Sequence, residues 1–122
     1  MTLIKLIPLN NRNNKNTFRV KFNTIKYKNK IIEDCYNLRF IIGEDIIKKV
    51  TWLKTDIIEV YQDDQKNNIY FIKKSSDKIG YKLTAHNNSY YLQFRTKDII
   101  NQYNKLTVVK YELIDQGIKI IL

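Results

Sequence analysis

The chain has 122 residues, 22 basic and 12 acidic, for a net charge of +10, with 43% hydrophobic and 12% aromatic side chains. That apolar content excludes wholesale disorder, and no apolar run approaches the ~20 residues of a membrane span or the core of a signal peptide. One cysteine, Cys35, excludes an internal disulfide framework, and with a single histidine, His86, it argues against a His/Cys zinc site.

The expectation is one soluble cytoplasmic domain over residues 1–122. Its charge is uneven: Lys5, Arg12, Lys15, Arg19, Lys21, Lys26, Lys28 and Lys30 occupy the first 30 residues without an acid, and the remainder is near neutral. Within this arm Phe18, Val20 and Phe22 alternate with Arg19 and Lys21, the period of a strand with one basic face. A basic strand suits a phosphate backbone. A Lys-rich edge strand, in a chain biased toward Ile, Asn, Lys and Tyr, would look the same. Residues 1–37 are read as a basic N-terminal β extension.

Cys35 follows Glu33-Asp34, whose charges disfavour a thiolate nucleophile. Leu38 to Ile42 reads as a strand. Glu44 to Val50 then carries Ile46, Ile47 and Val50 at helical offsets, acids first and Lys48-Lys49 last, which complements a helix dipole. Trp52 falls in the following bend as a core residue. A hairpin over Ile57 to Lys74 turns at Asp63 to Asn68, and Ser75-Ser76-Asp77 marks a second turn.

Ile79, Tyr81 and Leu83 alternate with Gly80 and Lys82 as a further strand, and His86 reads as a solvated residue beside an Asn87-Asn88 turn. Leu92 and Phe94 flank Gln93. Tyr90-Tyr91 and Tyr27 could stack exposed bases near Lys28, Lys82 and Arg95, or serve as half-buried core. Thr96 to Tyr103 repeats the helical pattern with Thr96 as cap and Ile99, Ile100 and Tyr103 as its apolar face. Val109, Tyr111 and Leu113 alternate, Asp115-Gln116-Gly117 turns, and Ile118, Ile120 and Leu122 close the chain. The overall pattern is mainly antiparallel β.

An offset of 53 lays residues 41–61 over 94–114: Asp45-Ile46-Ile47 falls on Asp98-Ile99-Ile100, Leu53 on Leu106 and Glu59 on Glu112. Both segments share the order strand, short helix, hairpin.

The first of them, Leu38-Arg39-Phe40-Ile41-Ile42-Gly43-Glu44-Asp45-Ile46-Ile47-Lys48-Lys49-Val50 through Asp56 and Ile58-Glu59-Val60, resembles the AbrB/MazE/SpoVT swapped-hairpin family of DNA-binding proteins. That family runs strand, Ile-Pro, short helix, a bend, Gly-Asp and an alternating strand. Ile42 falls on the Ile of Ile-Pro, Ile46 and Val50 on the helix face, and Asp56 on the Asp of Gly-Asp. Gly43 stands for the Pro, Ile47 for a frequent basic residue and Thr55 for the Gly. The resemblance covers 38–74, with a weaker second copy at 91–122 in which Val109 takes the place of Asp56. It implies a β-barrel-like domain closed from two hairpin units, as a monomeric pseudo-dimer or a homodimer.

It also implies a DNA face at Arg39 and Lys48, with Lys49 and Lys54 adjacent and Arg95 and Lys97 flanking the second copy. The arm residues Arg12, Lys15, Arg19, Lys21, Lys26 and Lys28 would add charge. The expected function is non-enzymatic binding of double-stranded DNA, as a transcriptional regulator or accessory factor without cofactor or metal. Two other classes compete: an antitoxin- or inhibitor-like protein-interaction module, and a nuclease holding Mg²⁺ at Glu33-Asp34, Glu44-Asp45 or Asp63-Asp64.

Overall fold

A computed structural model describes residues 3, 14–27, 30–96 and 105–122. After a 3-10 turn at Asn14–Asn16 come β1 (Phe18–Tyr27), β2 (Lys30–Gly43), α1 (Glu44–Val50), β3 (Ile57–Gln62), β4 (Ile69–Lys74), β5 (Tyr81–Lys82) and β6 (Thr84–His86). They are followed by β7 (Ser89–Thr96), β8 (Thr107–Val108), β9 (Lys110–Ile114) and β10 (Gly117–Ile121). Sheet A has the order β6-β7-β2-β1-β8 and sheet B the order β5-β3-β4-β10-β9, and every pairing is antiparallel.

The period-two patterns explain why these sheets meet. Alternate residues of a strand share a face. Phe18, Val20 and Phe22 on β1, Leu38, Phe40 and Ile42 on β2, and Leu92 and Phe94 on β7 are buried with Ile58, Tyr70, Ile72, Ile118 and Ile120 of sheet B in one core. Phe40 stands at its centre, edge-on to Phe18, Tyr70 and Phe94 at centroid distances of 5.2, 5.8 and 5.1 Å. α1 covers one end with Ile46 and Ile47, and Trp52 joins the core from the bend after it. Its acids lie in the first turn and its lysines in the last, and Thr51, in the left-handed region at φ 60°, stops it by donating its N–H to the Ile47 and Lys48 carbonyls.

The expected barrel is not closed. The chain crosses from one sheet to the other at single residues on both lateral edges: Leu83 joins β5 to β6, and Val109 joins β8 to β9. Both side chains turn into the core, while their N–H groups donate to Asp56 O (3.4 Å) and Phe18 O (2.9 Å). A one-residue corner changes strand direction too sharply for the ladder to run through it, so the result is a sandwich of two open sheets.

Of the basic N-terminal residues, Phe18–Tyr27 form β1, which lies between β2 and β8 with its apolar side buried. Past Thr24 and Tyr36 the β1–β2 hairpin continues as a two-stranded ribbon that pairs with no other described strand, with a register irregularity between Thr24 and Lys26. The expected turns at Asp63, Ser75–Asp77 and Asn87-Asn88 are present. Asp63 Oδ1 accepts from the N–H groups of Gln65 and Lys66, and Asp77 Oδ1 from the Ile79 N–H and the Ser75 hydroxyl. Asn87 is left-handed at φ 52°. Ile79, expected in one strand with Tyr81 and Leu83, is exposed and lies outside it, because Gly80 at φ 153° kinks the chain and β5 begins only at Tyr81. Thr96 ends β7, and the rest of the second expected helix, 97–103, falls in the segment 97–104, outside the described residues.

At the offset of 53, Ile58 and Val60 correspond to Tyr111 and Leu113, of which Tyr111 packs on the core and Leu113 is exposed, and Glu59 and Glu112 both point outward. In β2 and β7 it fails by one residue, since it lays outward-facing Ile41 over inward-facing Phe94.

Gly117 passes so close to β4 that a Cβ there would stand 2.5 Å from the Ile72 carbonyl oxygen. Gly117→Ala is expected to lower unfolding free energy by about 2–3 kcal/mol, because two hydrogen-bonded strands must separate to admit the methyl. Chemical denaturation checks this, and a loss below ~0.5 kcal/mol would show that the strands yield.

Candidate nucleic-acid interface

Burial of the apolar set of sheet A turns the intervening residues to its outer face, and strand register arranges them in rows. Arg19, Ile41, Tyr91 and Thr84 form one row, Lys21, Arg39 and Gln93 the next, and Asn23, Asn37 and Arg95 the third. With strands about 4.8 Å apart and alternate residues about 7 Å apart, these three rows on β1, β2 and β7 cover roughly 14 by 10 Å. Four cations stand there with no carboxylate among the described residues. β1, β6, β7 and β8 contain no Asp or Glu, and Glu33 and Asp34 lie in the part of β2 beyond its pairing with β7.

Arg39 is held in place. Its Nε and Nη2 donate to Gln93 Oε1 at 3.0 and 2.9 Å, and its guanidinium carbon lies 5.5 Å from the centroid of the Tyr91 ring. His86 packs on the same tyrosine at 5.6 Å. A planar guanidinium braced by an amide and a ring presents the other side of its fork with little rotamer freedom left to lose. Two shallow depressions meet at Gln93. One, of about 380 Å³, is lined by Asn37, Tyr81, Phe94 and Arg95; the other, of about 340 Å³, by Arg39, Lys82, Thr84 and Tyr91. Lys82 thus joins the basic set from β5.

Arg19 has a different role. Its Nη2 donates to the hydroxyl of buried Ser89 at 3.2 Å, and its Nε is buried without a partner. Tyr91 is outward-facing and half-buried, whereas Tyr90 packs against the core.

The other expected residues lie elsewhere. Lys15 pairs with Glu44 at 3.4 Å. Lys48, Lys49 and Lys54 are exposed on α1 and the bend after it, and Lys49 opens onto a cleft of about 590 Å³ with Trp52, Lys74, Ser75, Leu113 and Ile114. Arg39 stands five residues before α1, roughly 17 Å along β2 at the usual rise, while Lys49 opens toward sheet B. Lys26 belongs to β1 by its backbone, in the ribbon, while Arg12, Lys28 and Lys97 are outside the described residues.

Of the acidic pairs, Glu44 is tied to Lys15, Asp63 is held below the usual carboxylate range by the two N–H groups of its own turn, and Glu33-Asp34 lie on β2. Among the described residues no group of three or more His, Cys, Asp or Glu side chains could hold a metal ion, and no helix is long and apolar enough to cross a membrane.

The outer face of sheet B has another character. Its rows are Tyr61, Phe71, Lys119 and Glu112; Glu59, Lys73, Gly117 and Ile114; and Ile69, Ile121 and Lys110. Here Glu59 is opposite Lys73, Glu112 is opposite Lys119, and Lys73 lies 5.3 Å from the Tyr61 ring centroid.

Sequence reasoning did not find Gln93 as the brace for Arg39, or that Arg19, Arg39 and Arg95 share a face. Each sits between inward-facing residues, which is a readable signal. The pairing of β1, β2 and β7 that joins them is long-range. No protein-family model, curated protein or solved structure matches the chain.

Proposed function

We propose that the protein binds double-stranded DNA through the outer face of sheet A, without catalysis, as a transcriptional regulator or accessory DNA-binding factor. One observation carries this reading. In a chain with 22 basic side chains and only four arginines, three stand on one face that carries no carboxylate among the described residues, Arg19 tied to Ser89 and Arg39 and Arg95 beside Lys21. A composition that merely favours lysine would scatter lysines and would not select arginines, whose forked donors match phosphate oxygens. The β1–β2 ribbon favours a duplex, since a two-stranded β ribbon fits the major groove. The sequence from Lys26 to Lys30 reads Lys-Tyr-Lys-Asn-Lys.

The same reading takes the chain as two hairpin units paired with each other across the two open sheets in the swapped-hairpin manner. Its support is the mirrored strand order. Both sheets take strands from both units, with β2 against β7 at the centre of one and β4 against β10 in the other.

Anisotropy of a fluorescent duplex tests the proposal. Neutralising about four phosphates predicts a slope of log affinity against log salt near −3.6. Absence of binding at about 50 mM salt, where phosphate contacts are strongest, would remove it.

A further inference from the structure

We propose that the outer face of sheet B is the surface on which two copies of this chain associate. Tyr61 is exposed there, 46%, and with Phe71, Ile69 and Ile121 it forms an apolar field across β3, β4 and β10, while Ile114, 39% exposed, stands apart on β9 beyond Gly117. The Tyr61 hydroxyl donates to Glu59 at 3.1 Å, which fixes the ring on the face. Continuous apolar surface of this kind on a sheet is what interfaces use.

Charge selects the occupant. The chain carries +10, so two copies repel over most of their surface. On sheet A the meeting would set four cations against four. On sheet B, Glu59 and Glu112 stand among Lys73, Lys110 and Lys119, close to neutral and with both signs interspersed. An isologous two-fold contact needs a patch complementary to itself, and apolar rows flanked by acids and lysines meet that condition. The four long strands present roughly 20 by 17 Å, or about 350 Å² in projection per copy. That is below the standard protein interface, so the dimer is reversible and forms in the micromolar range. It leaves both basic faces outward, on opposite sides of the assembly.

Sedimentation velocity over about 1–300 μM tests this directly, the range in which a small interface dissociates. The expected result is a concentration-dependent shift from monomer to dimer that survives 0.5 M salt. Tyr61→Glu should raise the dissociation constant at least tenfold with an unchanged circular dichroism spectrum. If that variant is misfolded, Ile114→Glu, on β9 of the same outer face, decides in the same way. Lys21→Glu, on the other sheet, should leave association as it was. A wild-type chain that stays monomeric throughout, or folded Tyr61→Glu and Ile114→Glu variants that dimerise as before, would overturn the proposal.

Discussion

Phe40→Ala should destabilise the fold by about 3–5 kcal/mol, a large part of the 5–15 kcal/mol available to a domain of this size. Phe40 is fully buried and joins the two sheets: its ring meets Phe18 and Phe94 on sheet A and Tyr70 on sheet B. Tyr70 and Phe94 also touch each other at 5.7 Å, so removing the ring opens a cavity walled by aromatic groups. These rings are anchored on separate strands and cannot collapse into the space, which puts the cost at the high end for an aromatic truncation. Urea unfolding measures it as a lower midpoint with a similar slope. A loss under about 1 kcal/mol would mean that the sheets are not held together at this ring.

The second large effect concerns the basic face. Lys21→Ala, Arg39→Ala and Arg95→Ala together should weaken duplex binding about 100-fold near 100 mM salt, taking roughly 1 kcal/mol for each lost phosphate contact. The salt slope should fall by about 3, one for each contact. All three side chains point away from the core, so the folded state should persist and the loss should appear in binding alone. Arg39→Lys is expected to recover only part of the single-site loss, because an ammonium can neither stack on Tyr91 in the same manner nor donate in parallel to Gln93 and a phosphate.

Much of this architecture was legible locally. The alternation of Phe18, Val20 and Phe22 with basic residues gave a strand with one buried side, and Glu44 to Val50 is a helix at the expected bounds because its charge order and apolar spacing agree. Asp63 and Asp77 bond to the backbone of their own turns, which needs no distant partner. The corners at Leu83 and Val109 could not be read in advance, since nothing in their neighbours distinguishes a strand that changes sheet from one that continues. For the same reason a barrel was expected where two open sheets are found. The basic face was hidden in another way: Arg19, Arg39 and Arg95 are far apart in sequence, and only the pairings β1–β2 and β2–β7 bring them together. Reasoning from the helix instead favoured Lys48 and Lys49, of which Lys49 opens toward sheet B.

The most direct test of the nucleic-acid assignment is a charge-matched comparison. The Lys21/Arg39/Arg95 alanine triple and a Lys48→Ala, Lys49→Ala, Lys54→Ala triple each lose three positive charges, from different parts of the surface. Titrated against one labelled duplex at one salt concentration, the first should lose about two orders of magnitude in affinity and the second less than about threefold. Equal losses in the two triples would contradict the account, for they would show that DNA responds to the net charge of the chain and not to the face of sheet A.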